Sequence, residues 1–337
     1  MTEESSTASH LSIAMTTTGM TQITGENTVT PSSSRGIEFY FHCALVVIGV
    51  VGTATNGLIL YALVASKQHK KHVLIVNQNV LDLFTCIFIV LTYSLKLGNI
   101  PLTGSVGYWL CTLLISDSLI WCGTFGSVIN LASITIARYV KVVWSSKKLR
   151  NWMIYSAMAF SWIASFTYNA VLTFSTITVI DGECSTYATY ESETARIIEF
   201  VVNFLSFYII IILIFIFCYW RILVVIRRQA SVMASHAAAG PSTAQAHAQA
   251  QYHQIQSNVV KTMIFVCAFY AISWLPIYVF MLIVTLNPNH TFFEGTYYLC
   301  VFIGFSYTCT NPLVYATKFN PVKEVLLRLI PCKKNSG

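Results

Sequence analysis

The chain has 337 residues, 55% of them hydrophobic and only 10% charged, with a formal net charge of +7. Soluble domains carry roughly 25% charged residues, so this composition excludes a water-soluble body and requires one embedded in a bilayer. Sixteen Gly, eight Pro and ten Cys scattered through apolar runs also exclude a collagen-like, disordered or disulfide-scaffold chain.

Residues 1–36 form a Ser/Thr-rich, largely uncharged tail that reads as disordered. No charged start followed by an apolar stretch marks a cleavable signal peptide, so the first span is expected to direct insertion. A transmembrane helix needs about 20 mostly apolar residues. Seven runs meet that need: 39–65, 73–97, 108–140, 152–179, 197–226, 258–286 and 295–317. They are too long and continuous for the short alternating strands of a membrane barrel. The expectation is an all-α membrane protein, a seven-transmembrane helix bundle over 37–318. Residues 319–337 follow as a short amphipathic eighth helix and tail, with Val322, Val325, Leu326, Leu329 and Ile330 on one face. Between the fifth and sixth spans, residues 227–256 are rich in Ala, Gln, Ser and His and read as a flexible loop. His236, His247 and His253 are too widely spaced there for a metal site. No internal repeat is found, which weakens a transporter built of duplicated halves.

Lys and Arg set the orientation. The loops after the first, third and fifth spans, the helix ends beside them and the C-terminal tail hold 17 of the 20 basic residues and one acid, Glu324. The other side keeps Arg35, Lys96, Arg196 and most of the acids. The basic excess therefore reflects topology, with the lipid bilayer as partner and no nucleic acid. The basic side is expected in the cytoplasm and the N-terminus outside, as in a multi-pass plasma-membrane protein. Asn289-His290-Thr291 is a glycosylation sequon on the outer side.

Ionisable and amide groups at bilayer depth are expensive and mark function. Asp82 lies mid-run, and Asn56, Ser127, Asn130 and Asn311 lie in other runs. Singly, each fits an interhelical hydrogen bond. Together they suggest a polar core able to hold water or a cation. Pro276 in Ser273-Trp274-Leu275-Pro276 and Pro312 in Asn311-Pro312 predict kinks in the sixth and seventh helices. Two kinked helices flanking a basic face suggest a bundle that opens on that face.

These residues, in this order on seven runs, resemble the rhodopsin-like (class A) G-protein-coupled receptors. The resemblance runs from Asn56 to the helix after the seventh span. It rests on Asn56, Asp82, Arg138-Tyr139 at the end of helix three, Trp162, Tyr219, Ser273-Trp274-Leu275-Pro276 and Asn311-Pro312-Leu313-Val314-Tyr315. It implies a receptor, not an enzyme, with a heterotrimeric G protein as partner and arrestin as a second one. Arg138, Tyr139, Tyr219, Trp274, Pro276, Asn311, Pro312 and Tyr315 would carry activation. Asn56, Asp82, Ser127 and Asn311, with Trp274, match the family's sodium pocket, where Na+ would act as a negative modulator; no other cofactor is implied. Cys111 and Cys184 match the family's disulfide, and Cys332 is a palmitoylation candidate.

Several positions depart from the family. The acid before Arg138 is Ala137, and the helix-six acid position holds Gln256. Both resting restraints on Arg138 are thus missing, which predicts raised ligand-free signalling. Cys111 to Arg138 is about two residues longer than usual, so the upper part of helix three must run in a different register. Ile211 stands at the helix-five proline position, and the unbroken run Ile209 to Phe217 argues against the family's bulge there.

The ligand is less legible. Ile120 stands where amine receptors carry Asp, and Phe305 where visual pigments carry the retinal-linking Lys. Asp117 and Glu199 fall near the outer ends of helices three and five. With Trp274 and Ile120 they are the ligand-binding candidates, and an acidic mouth would steer a cationic peptide or small molecule. The rival reading is a membrane transporter or channel, but it wants several deep carboxylates along a path, and only Asp82 lies deep. A membrane enzyme would need a nucleophile–base or metal constellation, which the eight His do not supply.

Overall fold

A chain in lipid must satisfy its own backbone groups, and each apolar run of this sequence does so as helix. The computed structural model of the chain describes residues 31–98, 100–144, 150–180, 182–186, 193–237, 244–287, 294–318 and 320–329. The first two spans are α1 (Pro31–Ala65) and α2 (Val73–Gly98). The third is composite: α3 (Gly104–Leu110), a π-helical turn (Cys111–Ile115) and α4 (Ser118–Val143). The fourth is α5 (Asn151–Thr176), followed by a hairpin of β1 (Ile177–Ile180) and β2 (Glu183–Thr186). The fifth joins α6 (Glu193–Phe204), a second π turn (Leu205–Ile209) and α7 (Ile210–Ala237). The sixth is α8 (Ala244–Leu286), with Pro276 inside it. The seventh joins α9 (Glu294–Ser306), a 3-10 turn (Tyr307–Cys309) and α10 (Thr310–Lys318), and α11 (Asn320–Leu329) follows.

Among the described residues, Gly36–Ala65, Val73–Gly98, Gly104–Val143, Ile197–Val232 and Val260–Leu286 are each long and apolar enough to cross a membrane. The fourth span and the three-part seventh complete the bundle. The third span runs through its middle, with α4 packed against α2, α5 and α7. α11 packs on α1 and α10 through buried Val322, with Val325 and Leu326 half-buried against the core. This is the amphipathic eighth helix expected from the sequence.

Three expectations are corrected. The third run is not one continuous helix. Its two extra residues are absorbed by the π turn and by Asp117, which adopts a left-handed conformation (φ 61°) before α4 begins. The fifth span does carry a wide turn, although Ile211 is no proline. Tyr270 compensates by donating its hydroxyl to the Phe207 carbonyl inside that turn. Finally, the stretch 227–256 is helical through Ala237 and again from Ala244. Ala and Gln rank among the better helix formers, and here that propensity prevails. Residues 238–243, the tail before residue 31, Asn289 and Cys332 lie outside the described residues.

Small residues let the central helices approach closely. A Cβ on Gly123 would stand 2.3 Å from Thr85 Oγ1 and 2.9 Å from Phe84 Cδ1, both on α2. One on Gly52 would stand 2.3 Å from Cys86 Sγ. Gly123→Val is therefore expected to overpack the α2–α4 contact by about 1–3 kcal/mol. Lower surface expression and a lower unfolding temperature than the wild type would register it, whereas Gly36→Val, with open space around its Cβ, leaves both unchanged.

Candidate functional site

Asp82 sits at the centre of the bundle, fully buried. Its carboxylate collects donors from three helices. Ser127 Oγ donates to Oδ1 at 2.7 Å, and Asn311 Nδ2 donates to Oδ2 at 2.7 Å. Gln78, one turn back on α2, sets its Nε2 at 3.4 and 3.5 Å from the two oxygens and also donates to Ser127 Oγ. The network continues outward. Asn130 Nδ2 donates to Gln78 Oε1 (2.8 Å) and to the Leu74 carbonyl (2.9 Å). Asn77 Nδ2 donates to Asn130 Oδ1 (2.9 Å), and the Trp162 indole donates to Asn77 Oδ1 (2.9 Å). Asn56, on α1, joins separately, donating to the Thr308 carbonyl of the seventh span (3.1 Å). A buried polar group costs stability unless it is hydrogen-bonded. The network therefore holds α2, α4, α5 and α10 in one register. The structure brings Asp82, Ser127 and Asn311 together and sets Asn56 against the 3-10 turn instead.

One layer away lies an aromatic floor. Trp274 is buried, its ring centroid 6.0 Å from Phe305 and 5.9 Å from Trp121. Trp121 leans on Phe125 (5.6 Å), which stacks on Phe207 (4.0 Å). These rings tie the third, fifth, sixth and seventh spans together. Ile120 is fully enclosed in the same core. A pair of tyrosines clasps the fifth span to the sixth: Tyr270 donates to the Phe207 carbonyl, and Tyr208 donates to the Ala271 carbonyl at 3.0 Å. Ala271 lies just before the segment that Pro276 deprives of a backbone donor.

At the disulfide end, Cys111 is bonded to Cys184 of β2, with a Cα–Cα distance of 5.4 Å. Asp117 there is already engaged. Lys96 Nζ lies 2.8 Å from Asp117 Oδ1 and 4.7 Å above the Tyr93 ring, and the Tyr93 hydroxyl donates to Oδ2 at 3.4 Å. Glu199 is half-buried near Asn203, which accepts from Tyr278 at 3.3 Å.

At the opposite end, Arg138 and Tyr139 occupy the last turns of α4, both half-buried. Thr135, one turn earlier, shares a hydrogen bond with the buried Tyr219 hydroxyl (3.2 Å). Pro312 lies in α10 beside Asn311; the side chains of Tyr315 and Gln256 lie outside the described residues. Sequence reading missed Gln78, Asn77 and Trp121. A Gln on an apolar run was the available signal, four residues before Asp82 and so on the same helix face.

A family profile for the 7 transmembrane receptor (rhodopsin family) matches residues 55–315, and the chain belongs to that family. It is thus a multi-pass membrane protein of a receptor family, and not an enzyme. Neuropeptide Y receptor type 5 of Sus scrofa is 32% identical over 66 residues, and that of Rattus norvegicus 33% over 66. Those matches cover 19% of this chain and 15% of the length of each relative. The fold matches the crystal structure of squid rhodopsin with a TM-score of 0.72 at 18% identity, over 93% of this chain and 94% of that one.

His72, just before α2, lies beside the Arg138 end. Burial, and then the charges of Arg138, Lys141 and Lys71, push its pKa down to about 4. Unfolded histidine takes up a proton near 6.5, so acidification protonates the unfolded chain first. Stability from this group is whole above about pH 7 and is lost as pH falls from about 6.5 to 4. Thermal unfolding followed across that range should show a smaller loss in His72→Gln than in the wild type.

Proposed function

We propose that this chain is a cell-surface receptor whose N-terminus lies outside and whose Arg138 end activates a heterotrimeric G protein. The observation that carries this reading is the family match over 55–315, combined with Arg138-Tyr139 closing the central helix. The Cys111–Cys184 bond supports the orientation, because disulfides persist in oxidising compartments such as the cell exterior. The basic loops at the other end agree with it.

A peptide with a cationic group is the proposed ligand. Similarity to neuropeptide Y receptors over one segment supports the peptide class. Charge narrows the anchor. Lys96 already neutralises Asp117, which leaves Glu199 as the proposed contact for the cationic group. It sits near Tyr168, and Asn203, one turn further on, accepts from Tyr278, so aromatic side chains stand close to a candidate anchor for an amphipathic peptide.

A library of cationic peptides, read by G-protein dissociation in cells, tests both parts. Arg138→Ala is expected to abolish the response while surface expression stays intact. Glu199→Gln should weaken an active peptide about tenfold or more, the loss of one charge-assisted contact. An Arg138→Ala response equal to the wild type would overturn the coupling reading, and an unchanged Glu199→Gln potency the anchor.

A further inference from the structure

The hydrogens of the polar core point the wrong way for a metal ion. The orientation of an amide is ordinarily ambiguous, but here both ends of the network are chemically fixed. The Trp162 indole only donates, so Asn77 must show it an oxygen and turn its nitrogen to Asn130. The Leu74 carbonyl only accepts, so Asn130 must show it nitrogen, and the same nitrogen reaches Gln78 Oε1. Gln78 therefore commits its oxygen to Asn130 and aims its amide hydrogens at Asp82 and Ser127. Ser127 accepts from Gln78 and donates to Asp82, and Asn311 donates to the other carboxylate oxygen.

A sodium ion binds through open oxygen lone pairs. Here the Asp82 oxygens face three donors and the Ser127 oxygen already accepts one, which leaves Asn311 Oδ1 as the one oxygen of the set without a hydrogen-bond partner among the described residues, too few to replace an ion's hydration shell. Rotating Gln78 aside would break its bond to Asn130 and leave a buried amide without partners, which is costly. The residues present do not fit the ion that the family resemblance implies. We propose that the Gln78 carboxamide is a built-in neutral substitute for sodium at Asp82, so that this core excludes the metal. The charge of Asp82 is then held by dipoles fixed to the helices, with no exchangeable counter-ion.

The test is thermal unfolding of the purified full chain in sodium chloride and in choline chloride at matched ionic strength. It needs neither ligand nor G protein, so its failure is separate from failure of the receptor reading. The wild-type midpoint is expected to be the same in both salts. Gln78→Leu, which removes the amide, should gain a saturable sodium-dependent rise of roughly 2–4 °C. That rise should vanish when Asp82→Asn is added. A saturable sodium rise in the wild type that Asp82→Asn abolishes would overturn the proposal. A folded Gln78→Leu without any sodium response would overturn it too. Where Gln78→Leu gives no folded protein, Gln78→Met, which keeps the length without the N–H, carries the same comparison.

Discussion

A carboxylate enclosed in a membrane protein must have its lone pairs answered, and the position of most spans follows from how this chain answers those of Asp82. Its donors come from α2 itself, from α4 and from α10. Gln78, and Ser127 through it, are in turn braced, through Asn130 and Asn77, by Trp162 on α5. Sliding any one of these helices by a residue would strand a buried amide or the acid. Apolar side chains resist such slippage weakly in lipid, where hydrocarbon meets hydrocarbon on either side. The polar network therefore supplies register, and close approach at glycines such as Gly123 supplies contact.

The two halves of the bundle are built on different principles. Below Trp274 the packing is specified by directional hydrogen bonds. Around and above it the rings of Trp121, Phe125, Phe207 and Phe305 interlock edge and face, and such pairs tolerate tilting because their energy varies gently with angle. The wide turn of the fifth span sits where the two regimes meet. Its exposed carbonyl is satisfied from the sixth span, so the two helices share a joint rather than a seam.

Much of the fold could be read from the residues alone. Run lengths located seven spans, and the periodic apolar face located α11. The count between Cys111 and Arg138 showed that helix three must be irregular, but not where. That depended on Asp117 tolerating a left-handed backbone beside Lys96, a partner on another helix. The turn in the fifth span left no local mark either, since Tyr270 compensates for it from 63 residues away in the chain. Asp82, Ser127 and Asn311 were legible as a polar set. Gln78 was not, because a lone amide on an apolar run acquires its role only when α4 and α5 bring Asn130, Asn77 and Trp162 to it. The helicity flanking residues 238–243 was hidden for the opposite reason: low sequence complexity suggested a floppy loop, while Ala favours helix.

The interruption at Asp117 has a mechanical meaning. Above it, the third span is bolted through Cys111 to the β hairpin that rims the disulfide end. Below it, α4 runs unbroken to Arg138. A rod with a joint near its top does not work as a piston: force applied to the rim is spent in bending at the joint, against the spring of the Lys96–Asp117 pair. The fifth and sixth spans, clasped to each other through Tyr270 and Tyr208, form a second connection between the two ends, and it too passes through a joint, the wide turn at Leu205–Ile209.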